Sequence, residues 1–481
     1  MAKIHFCYFD INTGYYPGFH HGLAYLIGSL KAEGHQVTLS HLTDNIDSTL
    51  DLVGQEKFDL LALSFTTNQK MHVYKFLNRI DRSERLIVAG GVHCTLAREK
   101  VFEELPSINA ICIGEGEAAI KELCRRLDSG QDFVSIPSLY FKRNGGVVKN
   151  DIGALGSIDD LALPDYSLFD FERIISDGGG NFAMILGRGC PFDCSYCCNH
   201  AIRQVYPNEG KYLRLPTPQK AVNIIKNNLK LWPKTEKIAF ADDTFTINKK
   251  WLLSFCELYK KEIGLPFLCN ARVETINDEV VYNLKRAGCQ SIDFGVESGS
   301  EWLRKHVLNR KHSNQEIKDA FYLTRKHGVR TGSSNIVGLP FETKEMAKDT
   351  LNLNIEIQPN YGKCFYFYPY PGTKLHEICL EYDLLLDKFD SVSGYLESPS
   401  LKGVFMSHKK MKHHFDLMGL FFYSQLLLFK INIPLLFKKL LLKVVFLIGK
   451  PILTFFDPLT SSRGLKKVRS TIRKVAMRYL R

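Results

Sequence analysis

The residues with the clearest chemical potential are three cysteines in one short segment. Residues 188–200 read Arg-Gly-Cys-Pro-Phe-Asp-Cys-Ser-Tyr-Cys-Cys-Asn-His, which places Cys190, Cys194 and Cys197 in a CxxxCxxC spacing. Three thiolates on one loop can ligate three irons of a four-iron cluster, and the fourth iron then stays open to a small molecule, whereas an electron carrier would use four cysteines. The spacing therefore predicts a catalytic [4Fe-4S] cluster.

A zinc site is the alternative interpretation of the same segment. Zinc would need a fourth ligand, and Cys198 and His200 are the nearest candidates in the sequence. Adjacent Cys197 and Cys198 can hardly both bind one ion. The spacing directly after an apolar strand therefore favours the cluster.

Residues 1–135 alternate short apolar runs with helical patterns, which predicts an α/β domain with a doubly wound parallel sheet. Ligands of such sheets bind beyond the carboxyl ends of the strands. The small and polar residues that follow the apolar runs are therefore candidate binding residues, and they include Ser64, Gly90, Gly91, Gly114 and Glu115.

Residues 136–180 are expected to form a connector with a hairpin at 138–148. Residues 181–375 then repeat the strand–helix rhythm six times, which predicts a partial (β/α)6 barrel. Polar or small residues follow its strands and would surround one mouth of the barrel, where such folds place their chemistry. These residues are Asp242, Asp243, Arg272, Glu297, Ser298 and Gly338.

The last part of the chain, residues 376–481, is predicted to be a basic, apolar helical region. Residues 401–481 carry 17 Lys/Arg and 2 Asp/Glu, whereas the first 400 residues carry 46 against 49. A near-neutral body argues against a nucleic-acid partner, and the basic tail indicates one localised anionic partner. The tail could lie on an anionic membrane surface, or it could be a helical cap on the barrel with solvated lysines.

Thirteen scattered cysteines form an odd count, and the chain begins without a long apolar run. These features indicate a reducing, cytoplasmic environment with free thiols rather than a disulfide framework. The basic tail adds the expectation of peripheral contact with the inner face of the membrane.

The cysteine segment and the barrel-mouth residues resemble those of the radical S-adenosylmethionine (SAM) enzymes. The resemblance implies that Cys190, Cys194 and Cys197 ligate a cluster whose open iron binds SAM, and that an external donor of the flavodoxin or ferredoxin type reduces it. SAM cleavage would then yield a 5′-deoxyadenosyl radical that abstracts a substrate hydrogen. By the same resemblance, the SAM-binding residues are Tyr196, Asp242, Asp243, Arg272, Glu297, Ser298 and Gly338.

Each of these SAM assignments has a plainer alternative. Asp242 and Asp243 could form a surface turn, because this residue type also begins helices. Arg272 and Glu297 could make ordinary salt bridges. Gly338 could simply end a strand.

The first domain is similar to the cobalamin-binding domain that precedes many radical SAM enzymes. The segments carrying the resemblance start at Pro17, Ala89 and Ile113, and they imply cobalamin contacts from Ser64, Gly90, Gly91, Val92, His93, Gly114 and Glu115. The Asp-x-His-x-x-Gly motif that supplies a histidine to cobalt is absent. His20, His21 and His93 are therefore first interpreted as ordinary polar residues, and a sheet domain without cobalamin remains the alternative.

The resemblance implies a cobalamin-dependent radical SAM enzyme, most simply a methyltransferase acting on an unactivated carbon. The basic, apolar tail favours a hydrophobic or lipid-like small-molecule substrate. A cobalamin-assisted oxidation, cyclisation or rearrangement without methyl transfer is the second hypothesis. A non-catalytic iron–sulfur or zinc protein that binds a membrane surface is the alternative from another class.

Overall fold

The computed structural model describes residues 1–387, apart from 12–17, 43–49, 51–52, 54–56, 81–84, 178–179 and 207–211, together with 399–402. The chain divides into two compact units. The first contains residues 1–269, 286–288 and 370–377, and the second contains the remaining residues from 270 onward.

The first unit contains a seven-stranded sheet with the order β2-β1-β3-β4-β5-β6-β7. Its central strands are buried on both faces, which explains their continuous apolar sequences. The first five strands pair in parallel, and β6 and β7 are antiparallel. The strands are β1 Lys3–Phe9, β2 Gln36–Leu42, β3 Leu60–Ser64, β4 Leu86–Gly90, β5 Ala110–Cys112, β6 Leu139–Arg143 and β7 Gly146–Lys149.

The second sheet has six strands, whose order follows the chain from β8 to β13. Strands β8, β9 and the start of β10 belong to the first unit, and β11 to β13 belong to the second. All the recorded pairings are parallel. The strands are β8 Asn181–Met184, β9 Lys237–Phe240, β10 Phe267–Ala271, β11 Cys289–Glu297, β12 Arg330–Val337 and β13 Tyr361–Tyr366.

Helices connect the strands, and their ends follow local capping rules. Thr217 caps one helix ahead of Pro218 in its first turn, and Ser313 with Glu316 forms a capping box at another. The described helices are α1 His21–Ala32, α2 Lys70–Leu77, α3 Val92–Ala97, α4 Lys100–Glu104, α5 Glu117–Ser129, α6 Phe171–Asp177, α7 Cys198–Arg203, α8 Pro218–Leu231, α9 Lys249–Glu262, α10 Asp278–Ala287, α11 Asn314–Lys326, α12 Lys344–Ile357 and α13 Lys374–Glu381.

The predicted fold class is confirmed: a parallel α/β sheet precedes a second parallel sheet of partial-barrel type. The hairpin expected in the connector is present, but it extends the first sheet, because β6 pairs with β5. Strand β5 has only three residues, and β6 covers its otherwise open edge. The predicted tail lies almost entirely outside the described residues.

None of the helices in the described part of the chain has both the length and the apolar character that crossing a bilayer requires.

Candidate functional site

The cysteine segment follows β8 directly and leads into α7. Cys197 is the N-terminal capping residue of this helix, and its N–H donates to the Cys194 carbonyl at 3.1 Å. Cys194 is buried, whereas Cys190 and Cys197 are half-buried, and none of the three is disulfide-bonded. Burial raises the pKa of Cys190 to about 11, so iron binding there must displace a proton. Tyr196 is partly buried between the second and third cysteines.

The same segment provides a test of the zinc alternative. Within the described residues, no three His, Cys, Asp or Glu side chains converge as ligands of a single ion. The thiolates of an iron–sulfur cluster each bind a different iron and need no such convergence. Three thiols on one loop, none of them in a disulfide, provide the donors that a cluster with one open iron requires.

Asp242 and Asp243, which the sequence treats as a pair, have different environments. The buried carboxylate of Asp242 accepts hydrogen bonds from the backbone N–H groups of Leu186 (3.2 Å) and Gly187 (2.6 Å), so it fixes the start of the cysteine segment. Burial raises its pKa to about 6. Asp243 lines a cavity, and burial of its carboxylate raises the pKa although Asn199 hydrogen-bonds to it. Asp243, not Asp242, therefore has the carboxylate suited to contact a ligand.

Two arginines that the sequence analysis missed anchor the cysteine segment. Arg188 pairs with Arg214 through two backbone hydrogen bonds of 2.8 and 2.9 Å, and its guanidinium forms ion pairs with Glu115 (2.9 Å) and Glu117. Arg214 also pairs with Glu115. The ion pairs of the two arginines with Glu115 and Glu117 join residues about 70 to 100 positions apart, which explains why no local pattern revealed them. The carboxylate predicted to contact cobalamin at Glu115 instead has two arginine partners.

A cavity of ≈ 360 Å³ lies at the carboxyl ends of the first sheet, inside the first unit. Its wall contains six of the seven predicted cobalamin residues, namely Ser64, Gly90, Gly91, Val92, Gly114 and Glu115. The opposite part of the wall includes Gly187, Arg188 and Gly189, which immediately precede Cys190, together with Asp243. The cavity and the cysteine segment are thus direct neighbours.

The remaining predicted cobalamin residue, His93, does not line this cavity. It is buried, and its two ring nitrogens are 3.1 Å from the Thr67 hydroxyl and 2.8 Å from a Glu104 oxygen. The plainer interpretation as a satisfied core histidine therefore describes its environment, and we leave His93 out of the proposed binding set.

His20 occupies the cavity wall and has a defined tautomer. Its Nδ1 accepts the N–H of Leu23 at 3.1 Å, which caps α1, and burial lowers its pKa to about 4. The neutral ring must therefore carry its proton on Nε2, which donates to the Ser64 hydroxyl at 2.9 Å. Ser64 in turn keeps its own hydroxyl proton for another acceptor.

In the second unit, Arg272 follows β10 and is buried. Its guanidinium pairs with Glu274, with Nε 3.3 Å from a carboxylate oxygen, and Glu274 also contacts His312 Nδ1 at 3.0 Å. Burial would raise the pKa of Glu274, but hydrogen bonds from His312 and Arg272 lower it well below the usual range. The ion pair expected as the plainer alternative is therefore present. It occupies only part of the five-donor guanidinium fork.

Glu297 ends β11 in a strained conformation. Its φ is +63°, and the N–H of Ser298 donates to the Val296 carbonyl at 2.8 Å, which closes a three-residue turn around Glu297. Such a φ costs a non-glycine residue about 1–3 kcal/mol and is typical of functional sites. The Glu297 carboxylate pairs with Arg310 at 3.4 Å. Ser298 is fully buried, and its hydroxyl accepts the N–H of Ser300, so we also omit Ser298 from the proposed set.

Gly338 follows β12 with φ +76°, a conformation that glycine adopts without strain. Its N–H donates to Oε2 of Glu342 at 2.6 Å. Oε1 of Glu342 is buried without a partner in the described structure, and burial raises the pKa of this carboxyl group to about 8. Glu342 therefore holds the Gly338 turn in its protonated form at neutral pH.

This arrangement predicts a pH-dependent stability. Because the folded pKa of Glu342 (about 8) exceeds the unfolded value of ~4.3, the free energy of unfolding should fall as pH rises between these values. The Glu342→Gln variant keeps an acceptor for Gly338 but cannot ionise. We expect the free energy of unfolding of this variant, measured by urea unfolding, to exceed that of the parent protein by about 1–3 kcal/mol at pH 9. Near pH 5 the two free energies should be equal. The exposed Glu345→Gln variant is the control, and equal pH dependence of all three proteins would contradict the prediction.

Comparison with known families identifies both domains. The model of the radical SAM superfamily matches residues 184–353, which contain the three cysteines, and the B12 binding domain matches residues 10–124, which contain most of the cavity wall. The chain is a radical SAM enzyme with a cobalamin-binding domain. Its cofactors are accordingly a [4Fe-4S] cluster, SAM and cobalamin.

Several curated proteins are similar to this radical SAM enzyme. An uncharacterized methyltransferase of Pyrococcus horikoshii is 29% identical over 76% of this chain and 79% of its own. An anaerobic magnesium-protoporphyrin IX monomethyl ester cyclase of Rubrivivax gelatinosus is 27% identical over 74% of this chain and 65% of its own. A bacteriochlorophyllide d C-8(2)-methyltransferase of Chlorobaculum tepidum is 23% identical over 85% of this chain and 87% of its own.

Solved structures share the fold of this enzyme at low sequence identity. The radical SAM methyltransferase TsrM from Kitasatospora setae superposes with a TM-score of 0.66 at 16% identity, over 86% of this chain and 83% of its own. The cobalamin-dependent SAM radical enzyme OxsB gives a TM-score of 0.66 at 17% identity, over 99% and 75% of the two chains. These similarities concern the fold alone.

Proposed function

We propose that this radical SAM enzyme transfers a methyl group to an unactivated carbon of a hydrophobic substrate. The observation that carries the proposal is the shared wall between the sheet-domain cavity and the cysteine segment. Gly187, Arg188 and Gly189 line the cavity, and Cys190 is the next residue. A methyl carrier in the cavity would therefore lie beside the group that generates the substrate radical.

The cluster with SAM supplies a hydrogen-abstracting radical, and cobalamin supplies the methyl group. We propose that Cys190, Cys194 and Cys197 ligate the cluster, and that Tyr196 lies beside the adenine of SAM. Asp243, whose solvent-accessible side chain lines the cavity wall, is suited to the cationic amine of SAM. The neighbouring Asp242 instead orients the segment through the N–H groups of Leu186 and Gly187.

In the second unit, we propose that the buried guanidinium of Arg272, at the end of β10, binds the SAM carboxylate. Glu297 binds the ribose hydroxyls, and Gly338 allows the adenine to approach the backbone. For cobalamin, the proposed contacts are the wall residues Ser64, Gly90, Gly91, Val92 and Gly114. Because His20 Nε2 donates its proton to the Ser64 hydroxyl, the hydroxyl proton of Ser64 is not used in that hydrogen bond. Ser64 can therefore act as a donor to the corrin or its tail.

The names of the relatives support methyl transfer as the reaction, with cyclisation as the alternative reaction. Of the three relatives described above, two are named as methyltransferases and one as a cyclase. Two of these names specify tetrapyrrole substrates, which are large and mostly apolar. A cobalamin-assisted cyclisation without methyl transfer is therefore the second candidate.

The two candidates differ in their SAM-derived products. Methyl transfer consumes one SAM for the radical and one for the methyl group, so 5′-deoxyadenosine and S-adenosylhomocysteine should form in equal amounts. Cyclisation should yield 5′-deoxyadenosine alone. The experiment incubates the anaerobically reconstituted enzyme with an organic extract of its source cells and SAM carrying a deuterated methyl group. Absence of both a deuterated product and S-adenosylhomocysteine would contradict methyl transfer.

We further propose that residues 400–481 bind an anionic membrane surface and that a flavodoxin- or ferredoxin-type protein reduces the cluster. The net charge of +15 over residues 401–481 and their apolar runs support the membrane contact. Vesicles containing anionic lipid should sediment the full chain but not a chain truncated after Ser400. Equal sedimentation of the two chains would exclude this role of the tail.

A further inference from the structure

The second unit contains an arginine whose burial needs an explanation. Arg304 has no exposed surface and is the largest of the fully buried side chains in the described structure. Its nearest carboxylate is Glu301 at 3.9 Å, which is itself 56% exposed. Burial lowers the pKa of Arg304 to about 10. Burying a cation without a close carboxylate costs free energy of folding, and an apolar side chain of similar size often gives equal stability.

The guanidinium of Arg304 forms its hydrogen bonds mainly with backbone carbonyl oxygens. The guanidinium donates to the carbonyl of Ser298 and to that of His312 (3.3 and 3.4 Å), and it reaches Oδ1 of Asn314 at 2.7 Å. Ser298 directly follows the strained residue Glu297. Arg304 therefore restrains the backbone on the far side of that turn.

A second arginine restrains the near side of the same turn. Arg310 donates to the carbonyl of Gly295 and to the carboxylate of Glu297. The φ of +63° at Glu297 is therefore maintained between two guanidinium groups. Strained residues persist only where surrounding contacts over-determine their conformation, and here the contacts are identified.

Arg304 also connects this turn with the neighbouring ligand residue. His312, whose carbonyl it binds, contacts Glu274 through Nδ1, and Glu274 pairs with Arg272. One buried guanidinium thus links the end of β11 with the residue that follows β10. Both of these positions are proposed above to bind SAM.

We propose that Arg304 is a positioning residue that holds Glu297 and Arg272 in the geometry required for SAM binding. This inference rests on the proposed function, because it assumes that these two residues contact SAM. Arg304 itself touches no ligand. Its hydrogen bonds hold Glu297 at the end of β11 and, through His312 and Glu274, Arg272 after β10. SAM binding then does not have to pay the entropy of ordering these two side chains.

The test uses the full chain, reconstituted anaerobically with iron and sulfide, and measures SAM affinity by equilibrium dialysis. The Arg304→Met variant retains volume but no donor. We expect its SAM dissociation constant to rise about 10- to 100-fold, as for misplaced binding groups, while iron content and melting temperature match the parent protein. Arg325→Met is the matched control, because Arg325 also donates to backbone carbonyls, those of Ile357 and Gln358, and contacts no proposed SAM residue. Its SAM affinity should be unchanged.

An Arg304→Met protein that folds, carries the cluster and binds SAM with the parent affinity would overturn the proposal. If that variant does not fold, Arg304→Lys preserves a buried donor and decides the question. A folded Arg304→Lys protein should bind SAM several-fold more weakly, and parent affinity there would equally overturn the proposal. Failure of the unsubstituted protein to bind SAM would instead contradict the proposed function itself, and with it this role of Arg304.

Discussion

Replacement of Cys190, Cys194 or Cys197 by alanine should reduce SAM cleavage to background, a loss of about 10³-fold or more. Each thiolate is proposed to hold a different iron, so removal of one leaves a cluster that cannot be stably retained. The measurement is 5′-deoxyadenosine formed by the dithionite-reduced protein, together with iron content and the visible absorption of the cluster. All three variants should lose both the absorption and the product.

Cys198→Ala is the matched control for this prediction. Cys198 adjoins Cys197 and is likewise half-buried, but it begins α7 and lies outside the CxxxCxxC spacing. The variant should keep the cluster and SAM cleavage. If Cys198→Ala lost the cluster while Cys197→Ala retained it, the assignment of the third ligand would be wrong.

Gly90→Leu should prevent retention of cobalamin while leaving the cluster intact. Gly90 ends β4 on the cavity wall, and a Cβ added there would meet only the Cβ of Cys112, at an ordinary 3.6 Å. The backbone can therefore accept a side chain, and the leucine would occupy space in a cavity of ≈ 360 Å³. After incubation with hydroxocobalamin and gel filtration, the parent protein should carry corrin absorption. The variant should carry less than about one-tenth as much, because filling a pocket removes the contacts with the ligand.

Gly156→Leu supplies the control for side-chain size. No atom lies within 4 Å of a Cβ added at Gly156, and this residue is absent from the cavity wall. Its corrin content should equal that of the parent protein. Reductive SAM cleavage by Gly90→Leu should persist, because the cysteine segment is unchanged. Full corrin retention by Gly90→Leu would exclude this cavity as the cobalamin site.

Local sequence was sufficient to predict the strands and the two cofactor domains. The apolar run at residues 60–65 predicted a parallel strand, and the observed strand Leu60–Ser64 is buried at every position, as burial on both faces requires. Residues at the ends of parallel strands meet at one edge of a sheet, so the sequence predicts that Ser64, Gly90 and Gly114 lie together, and all three line the cavity. The CxxxCxxC spacing indicated the reaction class because all three ligands lie on one loop.

Only the tertiary structure shows which partners two residues of the same type contact. Asp242 and Asp243 are indistinguishable in the sequence, but the strand end directs one carboxylate to backbone N–H groups and the other to the cavity. Glu115 and His93 were candidate cobalamin contacts, but Glu115 pairs with Arg214, 99 positions away, and His93 contacts Glu104, 11 positions away. Such pairings depend on which elements meet in three dimensions, and no local periodicity encodes that.

The sequence by itself indicated a cluster with one open iron, because the three cysteines lie on one short loop, and the resemblance to a known family added SAM and cobalamin. Only the tertiary structure showed that Glu297 is strained and that Arg304 is a buried cation. Burial and backbone strain are properties of the packed chain. The φ of Glu297 is maintained by Arg310 and Arg304, which follow β11 and fold back so that their guanidinium groups contact its turn.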